Sequence, residues 1–124
     1  TLILNVNAIT QLPSEIGKLK NLTHLIYQGG KLKQIPPEIG SLVQLQELDL
    51  VFNEITDLPP EIQDLPNLTT CNLYGNRISR LPDWVQENKP DGLNVQANTL
   101  PGQMNEIKRF YLSLRYWIMN RFSS

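Results

Sequence analysis

Apolar residues return at fixed offsets along most of the chain. Leu22–Gln44, Leu45–Asn67 and Leu68–Lys89 align with a period of 23 residues, the third unit being one residue shorter. Position four of the unit holds Leu25, Leu48 and Cys71, and position six holds Tyr27, Leu50 and Leu73. Position eleven is Leu32, Ile55 and Ile78; position fourteen is Ile35, Leu58 and Leu81, each followed by proline. The same register extends back through Leu2, Leu4, Ile9, Leu12 and Ile16, and forward through Leu93, Val95 and Leu100. Self-similarity at this spacing is the signature of stacked layers, so five coils are expected over residues 1–100, the first truncated. Leu48 and Leu50 alternate with Glu47, Asp49 and Val51, a period of two that predicts a short strand with one face inward. Strands recurring once per coil pair in parallel, and parallel neighbours need a return connection. Pro36-Pro37-Glu38-Ile39-Gly40-Ser41-Leu42 supplies one, its apolar pair three apart suiting a turn or two of α or 3₁₀ helix. Glu15, Glu38 and Glu61 fall in the first turn, where the helix dipole favours a carboxylate.

Position nine is Asn7, Asn53, Asn76 and Asn98, where the chain leaves the strand and turns inward. Buried turn backbone must find partners, and an amide side chain offers two donors and an acceptor, so these four are read as structural. Gly30 interrupts the series, which makes the second turn the expected soft point. After Leu100 the period stops at Pro101-Gly102. From Met104, Ile107, Phe110, Tyr111, Leu114, Trp117, Ile118 and Phe122 follow the three-or-four spacing of an amphipathic helix. Residues 101–124 are therefore expected to form a C-terminal cap helix, shielding the last coil as solenoids require. Lys108, Arg109, Arg115 and Arg121 make that helix basic, which leaves membrane or calmodulin-like binding as its second reading.

Leu45-x-x-Leu48-x-Leu50-x-x-Asn53-x-Ile55 and Leu68-x-x-Cys71-x-Leu73-x-x-Asn76-x-Ile78 resemble the leucine-rich repeat. The unit length with Leu-Pro-x-Glu-Ile is similar to the bacterial and Ras-suppressor-like subtype, including short spirochaete members. The resemblance implies an α/β solenoid: a right-handed superhelix with a short parallel sheet on the concave face. Short helical or 3₁₀ turns would line the convex face, with the capping helix at the end. It implies a non-enzymatic protein-binding role, exported or at the cell surface as in bacterial relatives, or an intracellular scaffold as in the Ras-suppressor relatives.

Composition narrows the chemistry. Hydrophobic residues at 40% and charged residues at 19% place the chain with folded proteins. Eleven Lys and Arg against twelve Asp and Glu lack the basic footprint of a nucleic-acid binder. No apolar run reaches the ~18 residues of a membrane span. One cysteine and one histidine leave little for nucleophilic or metal chemistry, so no catalytic residue, metal ligand or cofactor is expected. Cys71 sits at an inward position and reads as a small core hydrophobe. Asn21-Leu22-Thr23 and Asn67-Leu68-Thr69 fit the glycosylation sequon, which the repeat's Asn-Leu habit explains equally well.

What remains is the outward face of the strands. Ile3 and Asn5 lie on the first, His24, Ile26 and Gln28 on the second, Glu47, Asp49 and Val51 on the third. Thr70, Asn72 and Tyr74 continue it, then Asn94 and Gln96, with Val6 and Phe52 at strand ends. Apolar and aromatic side chains with a polar rim mark a protein interaction site. The expected partner contacts are thus Ile3, Asn5, Val6, His24, Ile26, Gln28, Asp49, Val51, Phe52, Asn72, Tyr74 and Gln96, anchored by Phe52 and Tyr74. No cap precedes Thr1, so the first strand offers an open edge that upstream residues or a second copy of the chain would cover.

Overall fold

A computed structural model describes residues 1–4, 9–87 and 92–98. The expected positions Asn5, Val6 and Asn7 and the expected cap helix at 101–124 lie outside them. Five short strands, β1 (Leu2–Ile3), β2 (His24–Ile26), β3 (Glu47–Asp49), β4 (Thr70–Asn72) and β5 (Leu93–Asn94), form one parallel sheet in chain order. The register follows the repeat: Leu25 pairs with Leu48, Leu48 with Cys71, and Cys71 with Leu93. Between strands the chain returns through 3₁₀ helices at Ser14–Lys18, Pro37–Ser41 and Pro60–Asp64, and through one α-helix, α1 (Asp83–Glu87).

The core is the stack of inward residues. Leu25, Tyr27, Leu48, Leu50, Cys71 and Leu73 are fully buried, together with Leu32, Ile55 and Ile78 across the coil. Leu42 and Leu65 close the opposite wall from the ends of the 3₁₀ helices. Two 3₁₀ helices stack closely because glycine stands where they meet. A Cβ at Gly40 would lie 2.9 Å from the Glu61 Cβ and 3.1 Å from its carbonyl oxygen. Gln63 takes the equivalent place in the next unit, and the element that follows there is α1 instead of a 3₁₀ helix.

The turn after each strand is held by its neighbour's asparagine. Asn53 Nδ2 donates to the Tyr27 and Leu50 carbonyls at 2.8 and 3.0 Å, and its Oδ1 accepts the Leu32 N–H at 3.3 Å. Asn76 repeats the pattern on Leu50, Leu73 and the Ile55 N–H, and Asn98 on Leu73, Val95 and the Ile78 N–H. Each amide therefore ties two coils through largely buried groups. Stranding such groups costs about 1–3 kcal/mol per site. Among the described residues no buried side-chain nitrogen or oxygen lacks a partner.

Gly30, the break in that series, is not an empty slot. A Cβ there would lie 2.4 Å from Cε1 of the Tyr27 ring and would also collide with its hydroxyl. Tyr27 stands where other units carry leucine and fills the space an asparagine would take. Its hydroxyl donates to the Ile9 carbonyl at 3.4 Å, and Ile9 is the register equivalent of Leu32, Ile55 and Ile78. Burial pushes the phenol pKa up, and hydrogen bonds with the backbone at Lys31 and Ile9 act in the opposite sense. The pair Tyr27 and Gly30 thus does the work of Leu and Asn elsewhere, so the turn expected to be soft is packed. Gly30 has a negative φ, and an asparagine fits its backbone once the ring is gone. Tyr27→Leu should therefore lose stability, and adding Gly30→Asn should recover much of it in denaturant titrations. A double variant no more stable than the sum of its single changes would refute the shared slot.

Candidate protein-binding face

The outward residues of the strands form one surface, and the residues just past the strand ends border it. Ile3 is 57% exposed on β1, while Ile26, Phe52 and Tyr74 are half-buried. His24, Gln28, Asp49 and Asn72 are half-buried and Gln96 is exposed. Val51 departs from the expectation. Alternation puts it on the outward face, and it is buried, at 9% exposure. The turn does not account for this: β3 ends at Asp49, whose Oδ1 accepts the Val51 N–H at 3.3 Å, yet the same bond is made at Tyr74 and Gln96, which are half-buried and exposed respectively, and Val51 is not part of the core cluster.

That turn is itself a repeated device. Asn72 accepts the Tyr74 N–H at 3.1 Å and Asn94 the Gln96 N–H at 3.0 Å, as Asp49 does for Val51. Asp49, Asn72 and Asn94 thus have a structural task besides presenting a polar surface, one that their recurrence at position five foreshadowed. Across the strands, Gln28 Nε2 donates to Asp49 Oδ2 at 2.6 Å, and His24 Nε2 lies 3.7 Å from Glu47.

The residue after the turn takes the left-handed region in every described case: Gly29, Phe52, Gly75 and Ala97 have φ of 67, 58, 73 and 56°. Glycine adopts this freely, whereas a residue with a Cβ pays about 1–2 kcal/mol. Phe52 is therefore a bulky side chain where its neighbours use glycine. Its ring meets Tyr74 edge-on, with centroids 5.8 Å apart and planes at 78°. An edge contact of this kind contributes about 0.5–1.5 kcal/mol, close to the backbone penalty. The glycines at 29 and 75 were the signal in the sequence that position 52 carries strain.

Residues 43–86 match the family described as Leucine Rich repeats (2 copies). The fold is that of a leucine-rich-repeat solenoid. No curated protein matches it significantly. Among solved structures it is similar to the leucine-rich-repeat ectodomain of the Arabidopsis thaliana receptor kinase GASSHO1/SCHENGEN3, in complex with Casparian strip integrity factor 2. Identity there is 40% over 74% of this chain and 12% of that one, with a TM-score of 0.64. The BIR3–SERK2 complex, also of Arabidopsis thaliana, gives 26% identity over 82% of this chain and 59% of that chain, with a TM-score of 0.58. A leucine-rich-repeat protein of Leptospira interrogans gives 26% identity, coverage of 86% and 34%, and a TM-score of 0.51. This chain spans only part of each.

The repeat core also accounts for the cysteine. Cys71 is fully buried in the leucine position of β4, and burial pushes its thiol pKa from 9.0 to about 12. A thiol so placed is protonated at neutral pH and out of reach of a substrate. Among the described residues, no three His, Cys, Asp or Glu side chains gather as a metal site. Because the folded thiol keeps a proton that the unfolded chain releases, its contribution to stability is complete below pH 9 and is lost as pH rises towards 12. Chemical denaturation between those values should show a steeper loss for the parent than for Cys71→Ala. Equal slopes would mean the thiol is not held in the core.

Proposed function

We propose that this chain is a non-enzymatic protein-binding module that engages its partner through the concave face of the sheet, with Phe52 and Tyr74 as the anchor. The observation that carries the reading is Phe52 itself. A large aromatic side chain occupies a backbone conformation that flanking coils give to glycine, and local strain retained in this way is a mark of functional positions. The Arabidopsis ectodomain with its bound factor and the BIR3–SERK2 complex support a partner-binding role for a leucine-rich-repeat surface. The Leptospira protein is a bacterial chain of similar fold. A finer reading, taken from the resemblance to bacterial repeat proteins, is an exported protein meeting a host or matrix partner. An intracellular signalling scaffold is its alternative. A pre-formed rigid sheet suits either, because little order is lost on binding.

The decisive variant is Phe52→Gly, which gives this unit the residue used at 29 and 75. Relief of strain offsets the lost ring contact, so stability should stay within about 1 kcal/mol of the parent. Together with Tyr74→Ala it should abolish capture of a partner by the immobilised protein while thermal unfolding remains cooperative. Capture that survives in the folded double variant would refute the concave-face assignment.

Self-association through the β1 edge is a second reading, favoured by Ile3 and by Leu19, whose counterparts Leu42 and Leu65 are buried while it is 44% exposed. Light scattering should then show mass rising with concentration, and Ile3→Lys with Leu19→Lys should suppress the rise. A strict monomer throughout would remove this reading.

A further inference from the structure

Charge is unevenly distributed over the described surface. Every described lysine and arginine lies in a 3₁₀ helix or a connecting segment, and none lies on a strand. The strands carry two carboxylates, Glu47 and Asp49, both on β3 at the middle of the sheet. Their lateral neighbours in register on β4 are the uncharged Thr70 and Asn72. Asp49 is hydrogen-bonded by neutral donors, the Gln28 amide and the Val51 N–H, and among the described residues no cation pairs with it. Glu47 faces His24 at 3.7 Å, a partner that is cationic only when protonated.

We infer that the segment this face takes is an extended peptide rich in lysine or arginine, seated across β3 with a side chain against Phe52 and Tyr74. The inference rests on the reading of the concave face as the binding surface and adds the chemistry of its occupant. A lysine or arginine matches both features at once. Its charge complements the two carboxylates of the face, and its head or stem packs on the rings, where the negative π-face attracts a cation. Partner interfaces are selected by such complementarity, and an acidic segment would meet like charge there. The flanking amides of Asn72, Asn94 and Gln96 offer both donors and acceptors to an extended backbone.

A short fluorescent peptide of Arg-Ser-Leu triplets, with Gln-Ser-Leu and Glu-Ser-Leu counterparts, tests this by anisotropy with the full chain. The Arg peptide should bind, more weakly as salt is raised, and the other two should bind at least about fivefold more weakly. Glu47→Gln with Asp49→Asn should weaken the Arg peptide about fivefold or more. Asp49→Asn is safe for the fold, because Asn72 and Asn94 already make the same turn from the same register. Glu38→Gln with Glu61→Gln removes equal charge from the 3₁₀ side and should leave affinity unchanged. If that control weakens binding as much as the face variant does, the attraction is bulk charge and the inference fails. It fails equally if the Gln peptide binds as tightly as the Arg peptide, or if no peptide binds. Binding indifferent to charge but lost in Phe52→Gly would overturn the cationic occupant and leave the face in place. Arg-peptide binding untouched by both Phe52→Gly and the face carboxylate variants would overturn both.

Discussion

A coil of 23 residues is about one side chain thick, too thin to bury its own leucines or to satisfy the backbone of its own inward turn. The buried amide shared between coils resolves the second problem. Asn53, Asn76 and Asn98 each donate to carbonyls of two successive coils and accept an N–H from the coil before. Once that turn is fixed, the parallel register is fixed, because the hydrogen-bond ladder continues past the strand ends from Gly29 to Val51, Phe52 to Tyr74 and Gly75 to Gln96. The flat row of outward side chains, and any recognition they perform, depends on this spacing.

Departures from the repeat are informative because the neighbouring coils supply the comparison. Tyr27 with Gly30 replaces a leucine and an asparagine, the ring filling the place of the missing side chain and its hydroxyl bonding the Ile9 carbonyl. Loss of the contact glycine at position 63 coincides with a change from 3₁₀ helix to α1 in the following coil. Both retain packing by changing two places together. Phe52 differs from these, since its backbone strain is balanced by an aromatic contact on the surface and closes no gap in the core. That contrast separates a residue kept for the fold from one kept for the face.

Inward positions of the middle coils were legible in the amino-acid sequence, whereas Ile9 and Leu19 of the first coil are exposed. The 23-residue period placed Leu25, Leu48, Cys71 and Leu73 inside, set the order of the strands and marked the asparagines, since burial demands the same chemistry in each layer. The candidate face was legible only in part. Strand alternation set Ile3, His24, Ile26, Asp49 and Asn72 on one side of the sheet, but it did not show that Val51 is buried. Alternation sets the side of the sheet, whereas burial depends on what packs over a side chain, and the same position is half-buried at Tyr74 and exposed at Gln96.

The sequence by itself determined the layer, its period and the residue types that each layer buries, because these follow from local pattern and the cost of leaving polar groups unpaired. Only the tertiary structure decided that Tyr27 occupies an asparagine's place, that Val51 is buried, and that Phe52 and Tyr74 meet edge-on. Each of those outcomes depends on the distance between adjacent coils. That distance is set by contacts between residues some 20 or more positions apart, which no window of the sequence contains.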